Sequence, residues 1–173
     1  MKESKNVNSG NTSTIEFGGI SKNILLNKLR ESGIMMNEFS EIIFSSELFQ
    51  TSTEKQSISI IEASIKDIGF TKGATLSEIS ERIKEYGYAD CPLEVGPYLR
   101  LKYTDQKEVD SGNIKNQNPP GALVLFSIPL ENDDDFPKGF YLRKMDGKLW
   151  LRGYRCSMDY VWIPEDRFIF KLL

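Results

Sequence analysis

The pair Asp146-Gly147 is the feature that most constrains how this chain folds. It lies between two runs rich in strand-forming residues, FYLRKM and KLWLRGY. Asp-Gly between such runs is among the strongest short-range hairpin signals, because a type I′ turn needs positive φ at both central residues. A two-residue loop also fixes the register, so the sequence predicts Tyr141 opposite Arg152.

The predicted hairpin has two unlike faces, because successive side chains of a strand point to opposite sides of the sheet. One face is apolar, with Leu142 and Leu151 among its members, and is expected to pack on the core. On the other face, aromatic rings and cations lie opposite one another across the two strands. This second face carries Tyr141, Arg143, Met145, Lys148, Trp150, Arg152 and Tyr154.

Two interpretations of the second face are open. Guanidinium groups stack on aromatic rings, and such cross-strand pairs stabilise a sheet by up to about 1 kcal/mol, so the face can be packing alone. Alternatively, rings are stacking platforms and arginines bind phosphate or carboxylate, which favours a nucleotide-like ligand or single-stranded nucleic acid. The candidate ligand-binding residues are then Tyr141, Arg143, Trp150, Arg152 and Tyr154, with Arg155 at the rim.

The whole chain of 173 residues is predicted to form one domain with a tail. Residues 1–20 are mostly polar and lack periodicity, so we expect a disordered or loosely attached segment there. Residues 21–173 are expected to form a single α+β domain. In it, N-terminal helices pack on one face of a mostly antiparallel, curved C-terminal sheet.

Helix signals are concentrated in the first half of the chain. Ser21 precedes KNILLNKLRES, and Asn37 is the expected N-cap of a second helix whose buried side extends to Leu48. Together these two segments are interpreted as a helical hairpin. A third helix is predicted after Thr75, because Thr75 and Glu78 have the capping-box spacing.

Strand signals are spread over the rest of the chain. Residues 57–65, SISIIEASI, are β-branched and mostly alternating, and predict a strand buried on much of both faces. Leu99, Leu101 and Tyr103 alternate with cations and also predict a strand. The runs ALVLFSIPL, YVWI and RFIFKLL are interpreted as further strands, and residues 107–120 as the longest loop.

Composition excludes several classes of chemistry. The chain has no histidine, which is the commonest general base and the commonest zinc ligand, so Ser-His-Asp and Cys-His arrangements are ruled out. Its two cysteines, Cys91 and Cys156, cannot close a zinc site alone. The acidic run ENDDD lacks the glycine and distal glutamate of a calcium loop. We therefore expect no metal site and no cofactor.

Charge and hydropathy indicate where in the cell the protein is located. A net charge of −3 gives no global attraction to nucleic acid or anionic lipid. The start of the chain lacks the apolar core of a signal peptide, and no run approaches a membrane span, so we expect a cytoplasmic protein with both thiols free. The partner is unknown, and self-association through a free sheet edge or the apolar helices is open.

The sequence favours a non-catalytic binding or accessory protein over an enzyme. The alternative is a small hydrolase or transferase that uses carboxylates as acid, base or metal ligands. Its candidates are Glu94, Asp105, Asp134 and Asp135, with Cys91 as a nucleophile. A further alternative is a protein–protein interaction module.

Several segments together resemble a family of small, uncharacterised bacterial proteins, many of which carry an automatic helicase label. The segments are GIMMNEFSEIIF, DIGFTKGATLSEI, DCPLEVGPYLRLKYTDQ, DDDFPKGFYLRKMDGKLWLRGYR and WIPEDRFIF, and the resemblance runs from about Leu25 to the C-terminus. It implies no established activity. The helicase label does not fit the residues, because the GFTKGAT turn lacks the Gly-Lys-Ser/Thr element of a phosphate loop.

Overall fold

Eight strands form one open, mixed sheet in the computed structural model, which describes residues 11–110, 112 and 117–173. The strands are β1 (Asn11–Phe17), β2 (Met35–Met36), β3 (Gln56–Ser64), β4 (Tyr88–Ala89), β5 (Leu123–Leu125), β6 (Gly139–Met145), β7 (Lys148–Tyr154) and β8 (Arg167–Leu172). Their order is β1-β3-β8-β5-β6-β7-β2, and β4 pairs with β8 outside this path. Only the pairs β5–β8 and β2–β7 are parallel, which confirms the prediction of an α+β fold with a mostly antiparallel sheet.

The hairpin of β6 and β7 has the predicted turn and the predicted register. Asp146 and Gly147 have φ values of +51° and +71°, as a type I′ turn requires. Tyr141 pairs with Arg152. The apolar face is confirmed as a core face, because Phe140, Leu142 and Leu151 are fully buried.

The described chain contains four helices, and a capping side chain satisfies a first-turn N–H group in three of them. The four helices are α1 (Lys22–Glu31), α2 (Glu38–Ser45), α3 (Leu76–Ile83) and α4 (Val95–Lys102). The predicted caps of α2 and α3 are confirmed, since Asn37 caps α2 and Thr75 forms a capping box with Glu78, and Ser21 caps α1 by accepting from the Ile24 N–H. None of these helices is long and apolar enough to cross a bilayer.

The sheet carries an apolar core on each of its faces. Alternation separates Leu123 and Leu125, which join the first core, from Val124, which joins the second. The helices α1, α2 and α4 cover the first face, whereas α3 packs on the second through Ile79 and Ile83. The expectation that the helices share one face is therefore wrong for α3.

Residues 11–17 correct the predicted tail, whose first ten residues lie outside the described part of the chain. Instead of a loose segment, residues 11–17 form β1, an edge strand that pairs along its whole length with β3. Ile15 and Phe17 are each 2% exposed and anchor the strand in the first core. These two apolar positions are too few to produce a periodic signal in a polar segment.

The segment that contains Leu99, Leu101 and Tyr103 is helix α4 up to Lys102, so the predicted strand is wrong. Leu99 and Val95 are four residues apart and both buried, which is helical spacing. The alternation of leucines with cations over so few residues fits either structure.

Three smaller expectations are also wrong. The first two helices do not form a helical hairpin, because β2 lies between them, α1 contacts α4 and α2 packs on β7. Leu48 is 57% exposed, and Phe49 takes its place in the core. The YVWI run forms a single bridge, between Trp162 and Ala74, and not a strand.

Candidate functional site

A cleft of about 480 Å³ opens on the face of the hairpin that carries the rings and cations. This volume lies within the roughly 300–1,000 Å³ typical of small-molecule sites. The end of β7, the start of α2 and two loops contribute its walls. Its lining includes the aromatic residues Phe39, Tyr141, Tyr154, Tyr160 and Trp162, the cations Arg152 and Arg155, and the polar residues Asn118 and Cys156.

Three of the five residues predicted from the sequence line this cleft: Tyr141, Arg152 and Tyr154. Arg143 and Trp150 belong to the same face of the sheet but pair nearer the turn and do not line the cleft. Arg155 lines it as well, at the predicted rim position.

Arg152 contacts two aromatic side chains of the same sheet face. Its Nε donates a 2.8 Å hydrogen bond to the Tyr141 hydroxyl, and its guanidinium carbon lies 5.1 Å from the centroid of the Trp150 ring. The packing contacts expected from the sequence therefore exist. They leave the terminal guanidinium nitrogens without a hydrogen bond or ion pair to any residue that the structure describes.

The aromatic side chains of the cleft brace one another edge to face. Ring centroids are separated by 6.4 Å for Tyr141 and Tyr154, 5.5 Å for Tyr154 and Trp162, and 5.2 Å for Tyr160 and Trp162. Burial raises the pKa of Tyr154, so its phenol stays neutral. Trp162 is 3% exposed, and its buried Nε1 donor has no acceptor among the described residues.

Asn37 joins one wall of the cleft to the sheet. Its amide bonds both backbone groups of Gly153, accepting from the N–H at 2.8 Å and donating to the carbonyl at 3.0 Å. The same Oδ1 accepts from the Ser40 N–H and so caps α2. This arrangement brings Phe39 to the cleft, where its ring centroid lies 4.7 Å from the guanidinium carbon of Arg155.

Asn118 also lines the cleft, and its side-chain amide donates a hydrogen bond to Asp166. Nδ2 donates to Asp166 Oδ1 at 2.9 Å, and the Asn118 backbone N–H donates to the Tyr160 hydroxyl at 3.1 Å. Asp166 is buried, which raises the pKa of its carboxyl group. The Asn118 Oδ1 acceptor bonds no described residue. The sequence offers no signal that this asparagine and Trp162 would meet the hairpin.

Three of the four carboxylates proposed for an enzymatic alternative already take part in hydrogen bonds or ion pairs. Glu94 is 5% exposed and accepts hydrogen bonds from the backbone and hydroxyl groups of Ser52. Asp134 and Asp135 form ion pairs with Lys138 and Arg155, each at 3.5 Å.

Neither a metal site among the described residues nor the proposed nucleophile Cys91 supports the same alternative. Asp105 is exposed, and no three potential metal ligands cluster within the described residues. Burial raises the pKa of Cys91 to about 12, which makes it a poor nucleophile.

Comparison of the chain with protein-family models, with curated proteins and with solved structures finds no match. The family resemblance inferred from the sequence stays a prediction.

Proposed function

We propose that the protein binds a small ligand of the nucleotide class in this cleft, without catalysing a reaction. The observation that carries the proposal is Arg152, whose planar guanidinium is fixed by Tyr141 and Trp150 while its terminal N–H groups stay unused. Guanidinium groups bind phosphate through paired hydrogen bonds, and a fixed guanidinium loses little conformational entropy when it does so.

The rest of the cleft suits the ring of such a ligand. Tyr154 and Trp162 are held in place by neighbouring rings, so they would provide apolar contact at little entropic cost. Two unused polar groups accompany them, the Trp162 Nε1 donor and the Asn118 Oδ1 acceptor. A nucleobase edge, which carries both acceptors and donors, complements this combination. The volume suits a single nucleotide more closely than an extended strand.

Calorimetric titration with four nucleoside 5′-monophosphates and the four matching nucleosides tests the proposal. A hydrogen bond to a charged group contributes about 1.5–3 kcal/mol, so at least one monophosphate should bind roughly 10- to 100-fold more tightly than its nucleoside. Absence of binding by every monophosphate at millimolar concentration would overturn the proposal. Equal affinity for nucleoside and monophosphate would contradict the proposed binding of the phosphate by Arg152.

A short oligothymidylate distinguishes a free nucleotide from a single strand. Tighter binding of the oligomer than of the monophosphate would assign the cleft to one nucleotide within a strand.

We also infer a cytoplasmic setting, supported by the two cysteines, which are both free. Thiols of this kind persist in a reducing compartment. Recovery of the protein from the soluble fraction of its native cells with both thiols reduced would support this inference, and a secreted, oxidised form would contradict it.

A further inference from the structure

A second cavity of about 250 Å³ lies next to the cleft and is lined by part of α3 and by the chain that leads from β5 to β6. Cys156 and Ser157 line both spaces. The wall of this second cavity is apolar in one part, which contains Leu76, Phe126 and Met158. The rest carries polar groups of both charges.

Two polar groups on this wall have no partner among the described residues. Ser127 is 8% exposed, and its buried hydroxyl makes no hydrogen bond. Asp90 is half-buried, and its carboxylate forms no hydrogen bond or ion pair with a described residue. Buried polar groups in native proteins are nearly always paired, so the unpaired Ser127 hydroxyl points to a ligand, and the partly exposed Asp90 carboxylate is free to join it.

Lys138 adds a buried cation to the same wall. Its side chain is 3% exposed, and its Nζ donates to the Asp133 carbonyl at 3.0 Å and lies 3.5 Å from the Asp134 carboxylate. Asp134 is itself 56% exposed, so this ion pair is partly screened by solvent. The third acid nearby, Glu81, already pairs with Lys84 at 2.9 Å.

We propose that this cavity is a second binding site, for a free α-amino acid with an apolar side chain. The ligand carboxylate would accept hydrogen bonds from Ser127 and Lys138, and its ammonium group would pair with Asp90. Its side chain would contact Leu76, Phe126 and Met158. A zwitterion satisfies both unpaired groups, and the volume lies below that of drug-sized sites. The site does not depend on nucleotide binding.

Alkylation of Cys156 by N-ethylmaleimide, followed by mass spectrometry, tests the site in the unmodified protein. Cys91 is 1% exposed, so labelling of the folded protein reports Cys156. A bound ligand slows labelling by a factor of 1 + [L]/Kd, so L-leucine or L-methionine at about twice its Kd should slow it about threefold. L-Leucinamide and N-acetyl-L-leucine each lack one charge and should protect weakly or not at all.

Variants assign the contacts. Ser127→Ala removes one hydroxyl from an unpaired position, and Asp90→Asn removes one charge, so neither should impair folding. Both should reduce protection by leucine, whereas Arg143→Gln, outside both cavities, should leave it unchanged. Equal protection by the two singly charged analogues, full protection in the Ser127 and Asp90 variants, or no protection by any apolar amino acid at millimolar concentration would overturn the proposal.

Discussion

Arg152 and Tyr141 face each other across the β6–β7 ladder, and Arg152 Nε donates a 2.8 Å hydrogen bond to the Tyr141 hydroxyl. This pair bears on both interpretations of the face, packing and ligand binding. The contact stabilises the sheet, and it also holds the guanidinium where its terminal nitrogens remain available to the cleft. Packing and binding are therefore compatible roles of the same side chains.

Tyr141→Phe removes only the acceptor of that hydrogen bond. Because Tyr141 is 8% exposed and Arg152 reaches solvent, we expect a loss of about 0.5–1.5 kcal/mol in the free energy of unfolding, measured in urea. Nucleotide affinity should also fall, since Arg152 is no longer oriented. Unchanged affinity and unchanged stability would show that the hydrogen bond does not order Arg152.

Gly153→Ala should detach α2 from the sheet. A Cβ at this position would lie 2.6 Å from the Phe39 carbonyl carbon and 2.7 Å from the Ser40 nitrogen, and neither backbone atom can move without shifting the helix. We expect a loss of about 1–3 kcal/mol in unfolding free energy.

The matched control for Gly153 is Gly147→Ala, at the open end of the hairpin. No atom lies within 4 Å of its Cβ position, and only its φ of +71° opposes the substitution, at about 1 kcal/mol. An alanine at Gly153 that costs no more than the one at Gly147 would contradict the close packing of α2 on β7.

The two thiols should react slowly and unequally. Burial raises the pKa of Cys156 to about 11 and that of Cys91 to about 12. Since the thiolate is the reactive form, labelling of Cys156 should be slow at pH 7 and rise about tenfold per pH unit, without a plateau near pH 9. Cys91 should react only on unfolding. A Cys156 rate that levels off below pH 9 would contradict the raised pKa.

The hairpin could be predicted from the sequence because its information is local. Asp146-Gly147 fixes the turn, the turn fixes the register, and the register assigns Tyr141 and Arg152 to one face. The cleft could not be predicted, because its other walls come from distant parts of the chain. Trp162 is placed by its bridge to Ala74.

Helix α4 shows a different limit of prediction from the sequence. Its leucines alternate with cations as in a strand, and the buried Arg100 on that helix would be expected on a solvent-facing side. Arg100 is fully buried because Gln106 and the carbonyl groups of Arg143 and Trp150 accept its hydrogen bonds. These partners lie on the loop after α4 and on the hairpin. Such tertiary contacts override a short local pattern.

The central claim is that Arg152 binds the anionic group of a nucleotide-class ligand, and one pair of variants tests it most directly. Calorimetric affinity for the tightest monophosphate is compared between Arg152→Gln, in the cleft, and Arg143→Gln, on the same sheet face but outside it. We predict a loss of roughly 10- to 100-fold for the first and less than about twofold for the second. Equal losses in the two variants, or binding that persists unchanged in Arg152→Gln, would contradict the claim.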